Sequence, residues 1–334
     1  MEVTDRHVLA ISETSQAGEA RRLAQAIAER VGLDATEAGR VALVVTEAAT
    51  NLVKHARGGE LLIAALADDG SRGVGVLALD RGPGIPNVTQ SLGDGFSTAG
   101  SAGTGLGAIR RCSTVFDIYS SPAGTAILAR IWSAPRTRPA TPRLDVGAIS
   151  VPIAGETVCG DDWAVVERPS WTALVVDGLG HGAGAAAAAD AAVATFRRYG
   201  SGTPTEILER IHTSLRGTRG AAAAVAELDR ERRLVRFAGI GNIAGTILVD
   251  GTSRSMVSHH GVLGHEVRKI HEFTYPWPEG ALVVLNSDGL TSRWDVCRYP
   301  GLARRHPTLT AGVLYRDFRR GRDDATVVVV RETP

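Results

Sequence analysis

The sequence predicts an α/β chain of the α+β kind, built as two domains of different design. Three observations predict it. The chain has 334 residues, and one domain usually takes roughly 100–200. The stretch Ala134-Pro-Arg-Thr-Arg-Pro-Ala-Thr-Pro-Arg143 has three prolines and no hydrophobic periodicity, which reads as an extended, semi-rigid linker. Before it, helical and strand-like patterns are mixed; after it, short strand-like apolar runs dominate. The expected division is residues 1–133, a linker at 134–143, and residues 144–334.

Composition removes several classes of function. Lys and Arg number 37 against 36 Asp and Glu, for a net charge of +1. That balance gives no support to a nucleic-acid partner or to a polybasic membrane contact. Lysine occurs twice, as Lys54 and Lys269, and neither stands in a Gly-Lys-Ser/Thr context. A P-loop needs such a lysine on its phosphates, so P-loop chemistry is excluded. Cys112, Cys159 and Cys297 are far apart and make no zinc or disulfide pattern. No apolar run reaches the ~18 residues of a membrane span, and Met1-Glu-Val-Thr-Asp5 lacks the form of a signal peptide. A soluble, reduced, cytoplasmic protein is expected. The 39 glycines, without low complexity, mark places where backbone comes close to something else.

In the first half, residues 16–31 read as a helix through Ala20, Leu23, Ala24, Ile27 and Val31. A second helix begins at Asp34, where Asp34-Ala-Thr-Glu37 has capping-box form, and Val41, Val44, Val45, Ala48 and Leu52 make its apolar face. Glu47 and Asn51 share one face of it, and His55 lies a turn further on. Strands are expected at Glu60–Ala67 and Val74–Leu79. The second runs into Asp80-Arg-Gly-Pro-Gly-Ile85, which sets a carboxylate at the floor of a pocket. A Gly/Ser/Thr segment, Gly93–Gly100, leads to Gly103-Thr-Gly-Leu-Gly107 at a helix start, where backbone N–H groups can face a phosphate. Phe116–Tyr119 and Thr125–Ile131 read as closing strands. Each signal alone is weak; their order points to a nucleotide.

That order resembles the Bergerat-fold ATPase superfamily, and within it the small serine kinases of bacterial anti-sigma and stressosome switches, the RsbT/RsbW type. Asp80–Ile85 is similar to their first glycine box, and Asp94–Gly100 with Gly103–Gly107 to their lid and second box. The resemblance spans about residues 10–132. It implies an α/β sandwich with helices on one face of a mixed sheet, and a site for ATP with Mg²⁺. By it, Asn51 holds Mg²⁺ and Asp80 accepts the adenine amino group. Gly84 would let the base approach, and Gly82 belongs to the same cofactor-binding box. Gly103, Gly105 and Gly107 would wrap the phosphates, with Thr104 and Leu106 between them in the same cofactor-binding loop and Leu106 also the first core residue of the helix. Thr125 would back the adenine contact, and Glu47 would be the catalytic residue that takes the serine proton or positions the nucleophile. Proximity of a carboxylate to the γ-phosphate suits a reaction that depends mainly on positioning and charge neutralisation.

In the second half, strands are expected at Trp163–Val166, Ala173–Val176, Ala221–Leu228, Leu234–Ile240, Gly245–Val249, Ala281–Leu285 and Thr326–Val330. Helices are expected over 182–199 and 204–216, the latter with Thr203 as N-cap and Pro204 at its first position. A β-rich domain with helices outside follows. Four acids stand at strand ends: Asp161 in Cys159-Gly-Asp-Asp162, Asp177 in Val175–Gly182, Asp288 in Leu285–Leu290, and Asp323 in Arg322–Thr326. Strand exits and entries can meet at one sheet edge, and carboxylates gathered there need cations. Oxygen donors alone favour Mg²⁺ or Mn²⁺ over zinc.

These motifs resemble the PP2C-type metal-dependent serine/threonine phosphatases, in the SpoIIE/RsbU/RsbX branch, across about residues 145–331. The resemblance implies an αββα sandwich and two Mn²⁺ or Mg²⁺ ions. Asp177 would bridge them, the Gly178 carbonyl would bind one, and Asp161, Asp288 and Asp323 would complete the site, with Asp177 and Asp288 catalytic. Asp162 and Asp324 stand beside two of these as alternative or supporting acids. His181 would contact substrate phosphate, donate a proton, or serve only at the surface.

The joint expectation is a bifunctional bacterial switch protein, a serine kinase and a phosphoserine phosphatase acting on an STAS-domain partner. A sigma factor, a downstream phosphatase and a second copy of the chain are further partners that the resemblance allows. The alternative is a phosphatase regulated by a non-catalytic ATP-binding, anti-sigma-like domain.

Overall fold

The computed structural model describes residues 2–68, 70–93, 105–134, 144–167 and 170–333. Gly103, Thr104, the segment 94–100 and all of the expected linker except Ala134 lie outside them. The chain divides into two compact units, Met1–Pro139 with Arg304–Arg316, and Ala140–Ala303 with Asp317–Pro334. Among the described residues no helix is long and apolar enough to cross a membrane.

The first unit runs β1 (Glu2–Ile11), α1 (Thr14–Arg30), α2 (Ala35–Ala56), β2 (Gly59–Asp68), β3 (Ser71–Leu79), α3 (Val88–Ser91), α4 (Gly105–Cys112), β4 (Val115–Ser121) and β5 (Gly124–Trp132). Helix α2 starts as its sequence dictates. Asp34 accepts from the Glu37 amide at 2.7 Å, and Glu37 accepts from the Asp34 amide at 3.0 Å. The sheet order is β1-β2-β3-β5-β4. Every pairing in it is antiparallel, where a mixed sheet was expected. The chain returns by tight turns at β2–β3 and β4–β5, and a hairpin can join only antiparallel neighbours.

One face of this sheet packs on α1 and α2. Ala24, Ile27, Val41, Val45 and Leu52 meet Leu61, Ile63, Val76, Ile127, Ala129 and Ile131 in one core. On β5 the alternate positions Ala126, Leu128, Arg130 and Trp132 are buried as well, so this strand is covered on both faces. Residues 304–316 belong to this unit and bond to that second face, Arg130 donating to the Thr308 hydroxyl at 2.9 Å. The His306 amide donates to Asp117 at 2.7 Å.

The second unit runs β6 (Leu144–Val151), β7 (Asp161–Glu167), β8 (Trp171–Gly178), α5 (Ala183–Tyr199), α6 (Pro204–Ser214), β9 (Ala221–Asp229), β10 (Leu234–Ile240), β11 (Ala244–Val249), β12 (Thr252–Met256), β13 (Phe273–Pro276), β14 (Leu282–Asn286), α7 (Pro307–Phe318) and β15 (Ala325–Glu332). The residues of α7 up to Arg316 are those of the first unit. Two five-stranded antiparallel sheets result, β13-β10-β9-β8-β7 and β12-β11-β14-β15-β6. Helices α5 and α6 lie on the first sheet, where Ala192, Phe196, Ile207 and Ile211 pack against Leu174, Val176, Val225 and Ala238. The alanines of α5 keep that helix close, and they leave no room for side chains at Gly178, where a Cβ would stand 2.1 Å from the Ala185 carbonyl oxygen.

Candidate functional sites

In the first unit, α2, the β3 exit and the start of α4 enclose a cavity of about 280 Å³. Asn51, Asp80, Gly82, Gly84, Gly105, Leu106 and Thr125 line it, together with His55, Ile85 and Asn87 among others. Asp80 sits where β3 ends, and its orientation is fixed by backbone. Its Oδ1 accepts from the Gly82 amide at 2.8 Å and the Thr125 amide at 3.0 Å. The other oxygen is left to accept from a ligand. Thr125 is buried, and its hydroxyl is 3.1 Å from that of Ser120, which accepts from the Ile85 amide at 2.7 Å. The loop after Asp80 is thereby pinned to the β4–β5 hairpin. Gly84 has φ +75°, and a Cβ there would fall 2.1 Å from the Ser121 carbonyl oxygen. Only glycine lets the two loops close on each other.

The end of the cavity opposite the Asp80 loop is drawn from α2 and α4. A Cβ at Gly105 would lie 3.2 Å from Glu47 Oε2 and 3.5 Å from Asn51 Oδ1. The structure therefore brings Glu47, Asn51 and the first residue of α4 together, as the spacing along α2 predicts. Glu47 stands beside the cavity rather than among its lining residues. Gly107 is buried within α4.

In the second unit, Asp161 and Asp177 are direct cross-strand partners on β7 and β8. Asp288 follows β14 and Asp323 precedes β15. The Asp161 carboxyl is pushed well above its ordinary range by burial and by the Asp177 charge, with Ser287 and Thr326 hydrogen bonds pulling the other way. Burial, then the Asp288 and Asp323 charges, push Asp177 up to about 7. Asp323 is raised chiefly by burial. Asp161 Oδ2 and Asp288 Oδ1 are buried without a hydrogen-bond partner. Mutually repelling carboxylates with orphaned oxygens are a donor set that a hard divalent cation satisfies. Among the described residues no three acidic, histidine or cysteine side chains close on one point as a ready-made cage, so the carboxylates gather without converging.

The two Asp doublets separate in space. Asp324 is buried, and its two oxygens accept from the Ile153 and Gly160 amides, each at 2.6 Å. It clamps the loop before β7 with both of its oxygens. Asp162 follows Asp161 on β7, where alternation turns it to the other face. His181 is engaged with Glu156, Nδ1 to Oε1 at 2.7 Å. Sequence reasoning missed Asn242, whose Nδ2 donates to Asp177 Oδ2 at 3.2 Å. A lone Asn in an interstrand loop carries no periodic or motif signal that could have found it. The three cysteines are free.

Comparison with known proteins agrees with both halves. Residues 11–131 match the histidine kinase-like ATPase domain family, and residues 168–332 match the Stage II sporulation protein E (SpoIIE) family. The chain is 35% identical over 114 residues to the serine/threonine-protein kinase RsbT of Bacillus subtilis (strain 168), covering 34% of this chain and 86% of that protein. It is 25% identical over 138 residues to the phosphoserine phosphatase RsbX of the same organism, covering 41% and 69%. A chain in a structure of the bacterial stressosome, described as a modular system adapted to control secondary messenger signalling, is similar at 30% identity and TM-score 0.54, over 57% of this chain and all of that one. The fold of RsbX in complex with magnesium is similar at TM-score 0.50 and 20% identity, over 58% of this chain and all of that one.

Proposed function

The chain belongs to the histidine kinase-like ATPase family through its first unit and carries a SpoIIE-type protein serine/threonine phosphatase domain in its second, and from that premise we propose that it is a bifunctional switch protein. One half would phosphorylate a serine on an STAS-domain partner and the other would remove the phosphate. The observation that carries the kinase half is the meeting of Glu47, Asn51 and Gly105. The Glu47 carboxylate could take the serine proton, and Asn51 would hold a Mg²⁺ that, when bound, would neutralise phosphate charge. Asp80 would accept the adenine amino group with the oxygen that Gly82 and Thr125 leave free.

In the other half, Asp161, Asp177, Asp288, Asp323 and the Gly178 carbonyl would hold two Mn²⁺ or Mg²⁺ ions. When bound, such ions supply an activated water and stabilise the oxygens of an in-line displacement. Asp324 keeps the loop before Asp161 in place, and Asn242 orients Asp177.

The test uses the full-length protein, ATP, Mn²⁺ or Mg²⁺, and a panel of STAS-domain proteins in free and phosphoserine forms. Glu47→Ala is expected to lower transfer by about 100-fold or more, and Asp177→Ala with Asp288→Ala to bring phosphate release to background. Unchanged transfer in Glu47→Ala removes Glu47 as the base. ATP binding with no transfer to any partner replaces the kinase half by an ATP-binding regulatory domain. Unchanged release in the aspartate variants overturns the phosphatase site.

A further inference from the structure

The loop that follows Asp177 carries a guanidinium that the metal site does not use. Arg219 precedes β9, and its backbone runs beside that of the Asp177 loop: Gly178 pairs with Ala221, and the Leu179 amide donates to the Gly220 carbonyl at 3.0 Å. Arg219 is therefore next to Gly180, three residues on from Asp177. Its position is held from both sides. The His265 ring lies 3.0 Å from the Arg219 carbonyl oxygen, and the Gly220 amide donates to the Thr218 hydroxyl at 3.0 Å. The side chain reaches over the start of α5. A Cβ at Gly184 would fall 2.6 Å from Arg219 Cζ, and one at Gly180 would stand 3.4 Å from Nη1. The glycines of this loop leave the space that the guanidinium takes.

What Arg219 bonds to is revealing. Nη1 donates to the His181 carbonyl oxygen at 3.3 Å. The side chain makes no ion pair among the described residues, although Glu156 lies close by on His181. Arg219 is exposed, so most of its planar fork of donors faces solvent beside the aspartate loop. A guanidinium matches the geometry of a phosphate with two parallel N–H donors. His181, the candidate that the sequence offered, is turned to Glu156 instead.

We infer that Arg219 is the phosphate anchor of the phosphatase site, binding the non-bridging oxygens of the phosphoserine monoester. This rests on the phosphatase reading above and adds the residue that selects a dianionic ester. The test follows p-nitrophenyl phosphate hydrolysis by the full-length protein with Mn²⁺, and titrates inorganic phosphate by inhibition and by calorimetry. Arg219→Ala is expected to raise KM and the phosphate inhibition constant together, by about 10-fold, with kcat within about 3-fold. Arg219→Lys should recover part of both, because it keeps the charge and loses the fork. KM and phosphate affinity unchanged in Arg219→Ala, or a fall in kcat alone, would overturn the anchor. If Arg219→Ala does not fold, Arg219→Lys decides, since wild-type KM and phosphate affinity in that variant exclude a bidentate anchor. Absence of Mn²⁺-dependent turnover in the wild type would sink the phosphatase reading instead, and the calorimetric comparison would still report on Arg219.

Discussion

At the scale of the residue, the Asp323-Asp324 doublet shows how two identical side chains take opposite tasks. Asp323 is raised by burial near other carboxylates, whereas Asp324 spends both oxygens on backbone amides. Removing Asp324 leaves two N–H donors without acceptors, and each buried donor so orphaned costs roughly 1–3 kcal/mol. Asp324→Ala is expected to lower stability by about 2–6 kcal/mol by chemical denaturation. A change within about 0.5 kcal/mol, the range of an ordinary surface substitution, would deny it the clamp. Nothing in the local sequence distinguishes these neighbours, because the difference lies in which amides the fold brings to each. The same holds for Asn242 and Arg219, which reach the Asp177 loop only through the pairing of β8, β9 and β10. By contrast, the places of Asp161, Asp177, Asp288 and Asp323 at or beside strand ends were legible, because strand ends can be read from where apolar runs stop.

At the scale of the element, signals that are local were readable and those that depend on packing were not. Helix α2 announces itself by a capping box and one apolar face, and both are present. Helix α7 has no polar face to contrast with its apolar one: every residue from Pro307 to Arg316 is buried, so its periodicity is silent. Strand β1 is an edge strand with mostly half-exposed or exposed residues, too polar to stand out. The two sheets of the second unit are tied by a feature of this kind. Glu332 on β15 accepts from Arg230 at 2.7 Å and also from Arg233, both between β9 and β10. Burial pushes the Glu332 carboxyl up, but the Arg233 and Arg230 hydrogen bonds outweigh it and leave it below the ordinary value. A depressed acid contributes stability above its unfolded pKa, near 4.3, and loses it as pH falls through the folded one. Glu332→Gln should therefore lose stability at pH 7 and flatten the acid side of the stability profile below about pH 4.5. Parallel wild-type and variant profiles across that window would contradict it.

At the scale of the whole molecule, sequence and structure assign residues 304–316 differently. Chain order places them in the second half, between β14 and β15, yet they complete the first unit. Arg316 donates to the Asp80 carbonyl oxygen at 2.8 Å, behind the carboxylate that lines the cavity. A fragment of residues 1–139 thus lacks part of its own fold and leaves Arg130 without its bond to Thr308. It is expected to melt at least about 5 °C below the same fragment with residues 304–316 joined by a flexible linker, a shift worth about 1 kcal/mol in a domain of this size. Equal melting temperatures by calorimetry would show that the segment is dispensable to the first unit.

This interleaving decides how truncation acts on the two units. A premature stop anywhere between the end of β14 and Ala303 deletes Asp323 and β15 from the second unit and the last piece of scaffold from the first. Late truncations, which usually spare an upstream domain, are expected to damage both units at once. The gene cannot shed its second unit by shortening and keep the first one intact.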